Sequence, residues 1–201
     1  MFTGIIEEVG RVRDARAHEG LVRLAVDSSR VRAKLAKGGS VSVDGCCQTV
    51  TGLDERGFTV EVMPVTSQRT TLGALVPGTP VNLEAPLAAG DPLGGHFVLG
   101  HVDGVGEVVD VMAENGDHRV RVRVPDDLVR FLAARGSVAV DGVSLTVANA
   151  HEDGFTVALI PTTLAETVCG AYQKGRRVNL EVDVVARYLE RLARTSGRNE
   201  S

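Results

Sequence analysis

The chain has 201 residues, of which 43% are hydrophobic and 24% are charged, and its formal net charge is −4. These totals are ordinary for a globular protein with enough residues for two small domains. They give no reason to expect a nucleic-acid partner, and the sequence has no uncharged apolar run of about 18 residues, the length that a membrane span requires.

The cysteines and the first residues of the chain indicate its cellular compartment. Cys46 and Cys47 are adjacent and Cys169 is distant, a spacing that fits neither a disulfide framework nor a zinc site. We therefore expect reduced thiols and no bound metal. The opening MFTG lacks the basic and apolar regions of a signal peptide, so a cytoplasmic location is expected.

Most of the chain consists of short segments rich in Val, Thr and Ile that glycines separate, which is typical of a small antiparallel barrel or sandwich. One short helix is predicted in each half, at Ser29–Ala36 and Asp126–Ala134, because a capping residue precedes each and glycine follows it. The predicted strands are Leu21–Val26, Val41–Val43, Cys47–Thr51, Phe58–Val62 and Val81–Glu84, then His118–Val124, Val138–Val140, Leu145–Ala148, Phe155–Ile160 and Val178–Val182.

Two further segments stand apart from these strands. Ala85–Gly95, with two prolines and three glycines, is predicted to be a linker. Val185–Thr195 is predicted to be an amphipathic helix, because its apolar residues recur at helical spacing. That helix could dock on its own barrel or pair with the same helix of other subunits, and both arrangements stay open. Ser196–Ser201 is expected to fray.

The chain is an internal duplication. The segment DGCCQTV at 44–50 recurs as DGVSLTV at 141–147, a shift of 141 − 44 = 97 residues, and the same shift carries VNLE at 81–84 onto VNLE at 178–181. A shift one residue shorter carries Gly4 and Gly10 onto Gly100 and Gly106. A period this long indicates two domains of one fold, which we expect at 1–95 and 96–184, followed by a helix and tail at 185–201.

The repeated strand has a distinctive outward face. Side chains alternate along a strand, so Val143, Leu145 and Val147 should face the barrel interior. Ser144 and Thr146 should then face outward. Simple solvation is the ordinary explanation of a polar face, but small hydroxyls in place of Lys or Glu favour a surface covered by a ligand or another protein.

In the first copy, the same alternation places Cys47, Thr49 and Thr51 outward and Gln48 inward. A buried amide without partners costs a few kcal/mol. We expect either a bend or bulge in the strand at Gln48 or hydrogen-bond partners for its amide.

The two copies differ where chemistry would occur. His101 takes the place of Ile5, and Ser144 takes the place of Cys47. Two related sites with unequal chemistry could hold two similar molecules and treat them differently. A lone histidine is more often structural than catalytic, and both roles stay open for His101.

Several segments of the chain form a recognisable combination: MFTGI at 1–5, the repeated segments at 44–51 and 141–147, GGHFVLGHVDG at 94–104, and EVDVVARY at 181–188. In this combination, which runs to about residue 192, the chain resembles the riboflavin synthase family. It implies an all-β fold of two six-stranded antiparallel Greek-key barrels, each binding one 6,7-dimethyl-8-ribityllumazine, and a C-terminal α-helix that forms a homotrimer. The chain departs from the family pattern at Gln48, Leu99, Arg135 and Thr162.

The implied activity is that of a transferase in the last step of riboflavin biosynthesis. One lumazine gives a four-carbon unit to another, which yields riboflavin and 5-amino-6-(D-ribitylamino)uracil without any cofactor or metal. The active site would form between the first barrel of one subunit and the second barrel of its neighbour. Lumazine synthase is a candidate partner.

The resemblance also implies the site residues. The first group of substrate contacts is Gly4, Ile5, Ile6, Cys47, Gln48, Thr49, Glu61, Val62, Met63, Pro64, Val65, Thr66, Gly100, His101 and Val102. The second group is Arg135, Ser144, Leu145, Thr146, Leu159, Ile160, Pro161, Thr162, Thr163 and Leu164. The catalytic group is Cys47, His101, Ser144, Thr146 and Asp183.

By hypothesis, His101 and Thr146 assist removal of a proton from the C7 methyl group of one lumazine. Cys47 or Ser144 would help to deliver a nucleophile to C7 of the other, directly or through water. The rival functions are a non-catalytic lumazine or flavin carrier of the antenna type and a purely structural pair of barrels.

Overall fold

The computed structural model describes residues 1–114 and 116–196, and over these residues the chain forms two closed β-barrels followed by a helix. The first barrel consists of β1 Glu8–His18, β2 Leu21–Asp27, β3 Ser40–Val43, β4 Cys46–Leu53, β5 Gly57–Val62 and β6 Pro80–Glu84. The second consists of β7 Gly104–Glu114, β8 Asp117–Arg123, β9 Ser137–Val140, β10 Val143–His151, β11 Gly154–Ala158 and β12 Arg177–Val182.

Both barrels have the same strand order. The first runs β1-β2-β5-β4-β3-β6 around the barrel, and the second runs β7-β8-β11-β10-β9-β12, with antiparallel pairing throughout. Because β2 is followed by β5 and the last strand returns between the third and the first, each barrel is a Greek key. The expected all-β architecture is confirmed.

Each barrel has its own apolar core, because alternate residues of every strand face inward. Phe58 and its counterpart Phe155 are both fully buried, one in each core. In β4, Gln48 is also buried, and its Nε2 donates to the carbonyl of Cys47 at 2.9 Å and contacts Cys46 Sγ at 3.1 Å. Gln48 therefore has the hydrogen-bond partners that its inward position requires.

The ten predicted strands are confirmed, whereas β1 and β7 were missed because their sequences are rich in charged and small residues. The predicted helix Ser29–Ala36 is wrong in extent, since only a 3-10 turn, Arg32–Lys34, forms there. The Glu8 carboxylate accepts hydrogen bonds from the backbone N–H groups of Ser29 and Val31 and holds this segment as a loop.

The other helices also differ from their predicted extents. The predicted helix Asp126–Ala134 shortens to α2, Asp126–Val129. Two unpredicted helices, α1 Pro64–Arg69 and α3 Pro161–Glu166, begin at the prolines that follow β5 and β11, since proline is favoured in a first helical turn. The predicted linker contains no strand or helix. The predicted C-terminal helix is α4, Val184–Ser196, and residues 197–201 of the expected frayed tail lie outside the described residues.

The repeated Asp-Gly pairs are two-residue turns that meet at the contact between the barrels. Asp44 and Gly45 have φ values of 44° and 75°, and Asp141 and Gly142 have 44° and 81°, as type I′ hairpin turns require. A Cβ on Gly45 would lie 2.5 Å from the backbone nitrogen of Gly142. The two turns therefore pack back to back, and only glycine permits the approach.

Two asparagines of the repeated VNLE motif join the barrels across this contact. Asn82 Nδ2 donates to the carbonyl of Asp141, and Asn179 Nδ2 donates to the carbonyl of Asp44. Each asparagine also accepts a backbone N–H from the opposite barrel, that of Val168 for Asn82 and that of Thr71 for Asn179. The reciprocal pattern relates the barrels by an approximate two-fold axis.

Candidate active site

Each barrel is preceded by a segment that lies against the other barrel. These two leading segments, residues 1–7 and 97–103, meet where Phe2 and Val98 exchange backbone hydrogen bonds of 2.7 and 3.2 Å. The carbonyl of Gly100 then accepts the N–H of Cys47 at 2.8 Å, and the carbonyl of Gly4 accepts the N–H of Ser144 at 2.8 Å. On the polar face of each repeated strand, Cys47 and Ser144 are therefore covered by the other barrel's leading segment.

Because each leading segment lies against the other barrel, the predicted contacts lie together in a different grouping from the expected one. Gly4, Ile5 and Ile6 were assigned beside Cys47, but Gly4 bonds to Ser144, and Ile6 packs on the core of the second barrel. Val102 packs on the core of the first barrel. The N-terminal residues therefore lie beside Ser144 and residues 100–102 lie beside Cys47, and the substrate contacts of both remain predictions.

The site at Cys47 is a cavity of about 200 Å³. Its lining is Cys46, Cys47, Val65, Thr66, Arg69, Thr70, Gly100, His101 and Val102. Burial raises the pKa of the Cys46 thiol to about 11, so Cys46 is held as an unreactive thiol, whereas Cys47 is only half-buried. His101 is exposed at the same cavity, so a thiol and an imidazole face one small space.

The site at Ser144 contains a histidine that the sequence did not single out. Nδ1 of His96 lies 2.7 Å from the Ser144 hydroxyl oxygen. Burial lowers the pKa of His96, and the nearby charge of Asp183 acts in the opposite direction. Its Nε2 is buried without a hydrogen-bond partner within the described part of the chain. Ser144, His96 and Asp183 therefore form a polar group in which a neutral imidazole can accept the serine proton.

The remaining predicted contacts fall around the same two strands. Thr49 and Thr146 are exposed on β4 and β10, as the alternation predicted, while Leu145 is buried. Arg135, with φ of 69°, donates its backbone N–H to the carbonyl of Val147 and lies beside β10 with its side chain exposed.

The corresponding loops after β5 and β11 have the same pattern of exposed and buried residues. Met63, Pro64 and Val65 are exposed at the start of α1, and Ile160, Pro161 and Thr162 are exposed at the start of α3. Val62 and Leu159, in contrast, belong to the two cores. Glu61, Thr66, Thr163 and Leu164 are half-buried.

Asp183 has a structural task in addition to its expected catalytic one. Its Oδ1 accepts the N–H of Val185 at 2.9 Å, which makes it the N-cap of α4. Ion pairs hold the helix in place: Arg187 pairs with Asp103 of the second leading segment, and Glu190 pairs with Arg130 of the second barrel. Helix, cap and leading segment are thus connected.

A larger cavity, of about 640 Å³, lies beside the first leading segment and the linker. Its lining includes Thr3, Ile5, Lys34 and Glu84 but, among the described residues, none of the predicted catalytic group. The described helices include none long and apolar enough to cross a membrane. No group of three or more His, Cys, Asp and Glu residues within ranges 1–114 and 116–196 is arranged to hold a metal ion.

Fold and site together define a tandem-barrel protein with two related but chemically unequal sites. A family model described as "Lumazine binding domain" matches residues 3–86 and 99–183. The chain is 45% identical to riboflavin synthase of Mycobacterium bovis over 201 residues, covering 98% of this chain and 100% of that one. It is 37% identical to riboflavin synthase of Bacillus subtilis, covering 100% and 94%. The chain belongs to the riboflavin synthase family.

The fold also matches solved structures. The crystal structure of LumP complexed with 6,7-dimethyl-8-(1'-D-ribityl) lumazine superposes with a TM-score of 0.82 at 24% identity, covering 90% of this chain and 99% of that one. LumP complexed with riboflavin gives a TM-score of 0.83 at 25% identity, with the same coverage.

Proposed function

We propose that this chain catalyses the dismutation of two 6,7-dimethyl-8-ribityllumazine molecules to riboflavin and 5-amino-6-(D-ribitylamino)uracil, as a transferase in riboflavin biosynthesis. The observation that carries the proposal is the unequal pair of sites. One strand presents Cys47 beside His101, and its duplicate presents Ser144 beside His96. Two molecules of one compound could therefore take opposite roles, donor and acceptor of the four-carbon unit.

The predicted site residues remain a proposal, and the geometry supports distinct roles. His101 is exposed at the Cys47 cavity and could take a proton from a methyl group there. Ser144, with an imidazole nitrogen at 2.7 Å, is the better-supported of the two candidates for delivering the nucleophile. The described residues would contribute chiefly by holding two rings in a productive orientation.

We also propose the homotrimer that the family resemblance implies. Val185, Tyr188 and Leu189 of α4 are 53%, 67% and 61% exposed, because charged pairs rather than these residues dock the helix on its own barrel. An apolar helical stripe of this kind suits pairing with the same helix of other subunits. The first barrel of one subunit would then face the second barrel of its neighbour.

The same proposal includes the domain divisions, the cellular compartment and a partner protein. The functional divisions would be 1–95, 96–184 and 185–201. The three unpaired cysteines suit a reducing compartment such as the cytoplasm. Lumazine synthase, which would supply the substrate, is a candidate partner.

The direct test mixes the purified protein with the lumazine alone and follows riboflavin by absorbance. One riboflavin per two lumazines consumed is the expected result. A carrier function of the LumP type is the second candidate, because the fold superposes closely on LumP; tight binding without riboflavin formation would favour it.

A further inference from the structure

At or next to the end of its last strand, each barrel has a buried glutamate that accepts hydrogen bonds from its own leading segment. Glu84, 4% exposed, accepts hydrogen bonds from Thr3 N at 2.6 Å, Thr3 Oγ1 at 2.7 Å and Gly4 N at 3.0 Å. Glu181, also 4% exposed, accepts the backbone N–H groups of Leu99, Gly100 and His101 at 2.7, 2.9 and 3.0 Å. Charge-assisted bonds to several N–H groups of one segment fix its backbone firmly.

The backbone of each leading segment that the glutamate holds also covers the site of the other barrel. A Cβ added to Gly100 would lie 2.5 Å from Cys47 Cβ, and one added to Gly4 would lie 2.6 Å from Ser144 Cβ. Both glycines have positive φ, 77° and 76°. The backbone thus approaches each polar side chain as closely as a residue without Cβ permits.

We propose that Glu181 is the positioning residue of the Cys47 site, although it belongs to the second barrel, and that Glu84 is the positioning residue of the Ser144 site, although it belongs to the first. The position of residues 99–101 over Cys47 depends on the Glu181 carboxylate, and that of residues 3–4 over Ser144 depends on Glu84. The consequence for turnover rests on the proposed function, but the positioning itself does not.

The crossed dependence gives a test that is separate from activity. Cys47 is half-buried, whereas burial raises the pKa of both Cys46 and Cys169 to about 11. A thiol reagent near neutral pH should therefore modify Cys47 selectively, because the thiolate is the reacting form. Mass spectrometry of the labelled peptides identifies the thiol, and the rate reports how closely residues 99–101 cover it.

The experiment compares E181Q with E84Q in the full chain without ligand. Glutamine has one acceptor oxygen, and its NH₂ group would face backbone N–H groups that need an acceptor. The set of hydrogen bonds that holds the leading segment is therefore broken. We expect E181Q to label Cys47 about tenfold faster or more, while E84Q stays within about twofold of the unchanged protein.

The two variants control for each other, because the residues are equally buried on equivalent strands. General loosening of the fold would change labelling equally in both, and that outcome, or a larger effect of E84Q, would overturn the proposal. If E181Q does not fold, E181D and E84D provide the same crossed comparison with the charge kept and its reach shortened. Riboflavin formation is measured separately, so its absence would count against the proposed function alone.

Discussion

The Ser144 hydroxyl and the His96 imidazole lie 2.7 Å apart although 48 residues separate them in the chain. His96 immediately precedes the second leading segment, and its backbone N–H donates to the carbonyl of Thr3 at 3.1 Å, beside the Gly4 that bonds to Ser144. The pair gives the second site a hydrogen-bonded base.

The role of His96 can be tested by replacing it with asparagine. We expect H96N to lower turnover by about tenfold or more, as removal of a positioned general base does, with a smaller change in lumazine affinity. The effect of S144A should not add to that of H96N if the two act as a unit. Steady-state rates of the two single variants and the double variant measure this directly, and full additivity would contradict the pairing.

His101 and Ile5 form a matched pair, because they occupy equivalent positions in the two copies. We expect H101A to lower turnover without abolishing lumazine binding, since His101 faces the Cys47 cavity. The control is I5A, which should affect binding more than turnover. Unchanged turnover in H101A would show that His101 does not belong to the catalytic group.

Asp183 combines a helix cap with a charge near His96, and two substitutions separate these roles. D183A should destabilise α4 by about 1 kcal/mol, because the N–H of Val185 loses its acceptor. D183S keeps a capping oxygen but removes the charge. We expect D183S to retain the thermal stability of the parent protein and to lose activity, and calorimetry with turnover assays will compare them. Full activity in D183S would confine Asp183 to the cap.

The exposed face of α4 should control assembly. L189D is expected to give monomers in analytical ultracentrifugation, because a charge would be buried against the partner helices, and to lower turnover while the barrels stay folded. R191Q changes an exposed residue of the same helix and should leave assembly intact. An assembled L189D protein would exclude the helix as the trimer contact.

The back-to-back turns predict a pH dependence of stability. Burial raises the pKa of Asp141 from 3.8 to about 6, and burial together with the charge of Asp141 raises the pKa of Asp44 well above its ordinary value. The stability that this protonated pair contributes is therefore fully present below 3.8 and is lost as pH rises. The melting temperature of the parent protein relative to D141N should fall as pH rises from 3.8 towards 6.

Asp54 provides the control for that titration, because the hydrogen bond from Arg13 lowers its pKa to about 2. Its contribution is already present above the unfolded value, so the difference between the parent protein and D54N should be constant from about pH 5 upward. A falling difference for D54N as well would assign the effect to the fold in general.

Local pattern accounted for the repeat, ten of the strands and the outward face of Ser144 and Thr146, since alternation and glycine spacing are local properties. It could not place Gly4 beside Ser144, because crossing segments are a matter of tertiary packing. The repeated VNLE was visible as a sequence, yet the tasks of Asn82 and Glu84 depend on groups in distant segments. His96 lay outside the repeat and so carried no comparable signal.

The crossed leading segments bear on the origin of the chain. A protein with a single barrel could not cover its own polar strand with its own leading segment in this way, and would have needed a second identical molecule in a two-fold homodimer. The internal repeat is what fusion of two such genes would produce, with the contact of such a dimer retained inside one polypeptide. Once fused, the halves could diverge independently, one towards a thiol and the other towards a serine with its histidine, which a symmetric dimer of identical chains could not achieve.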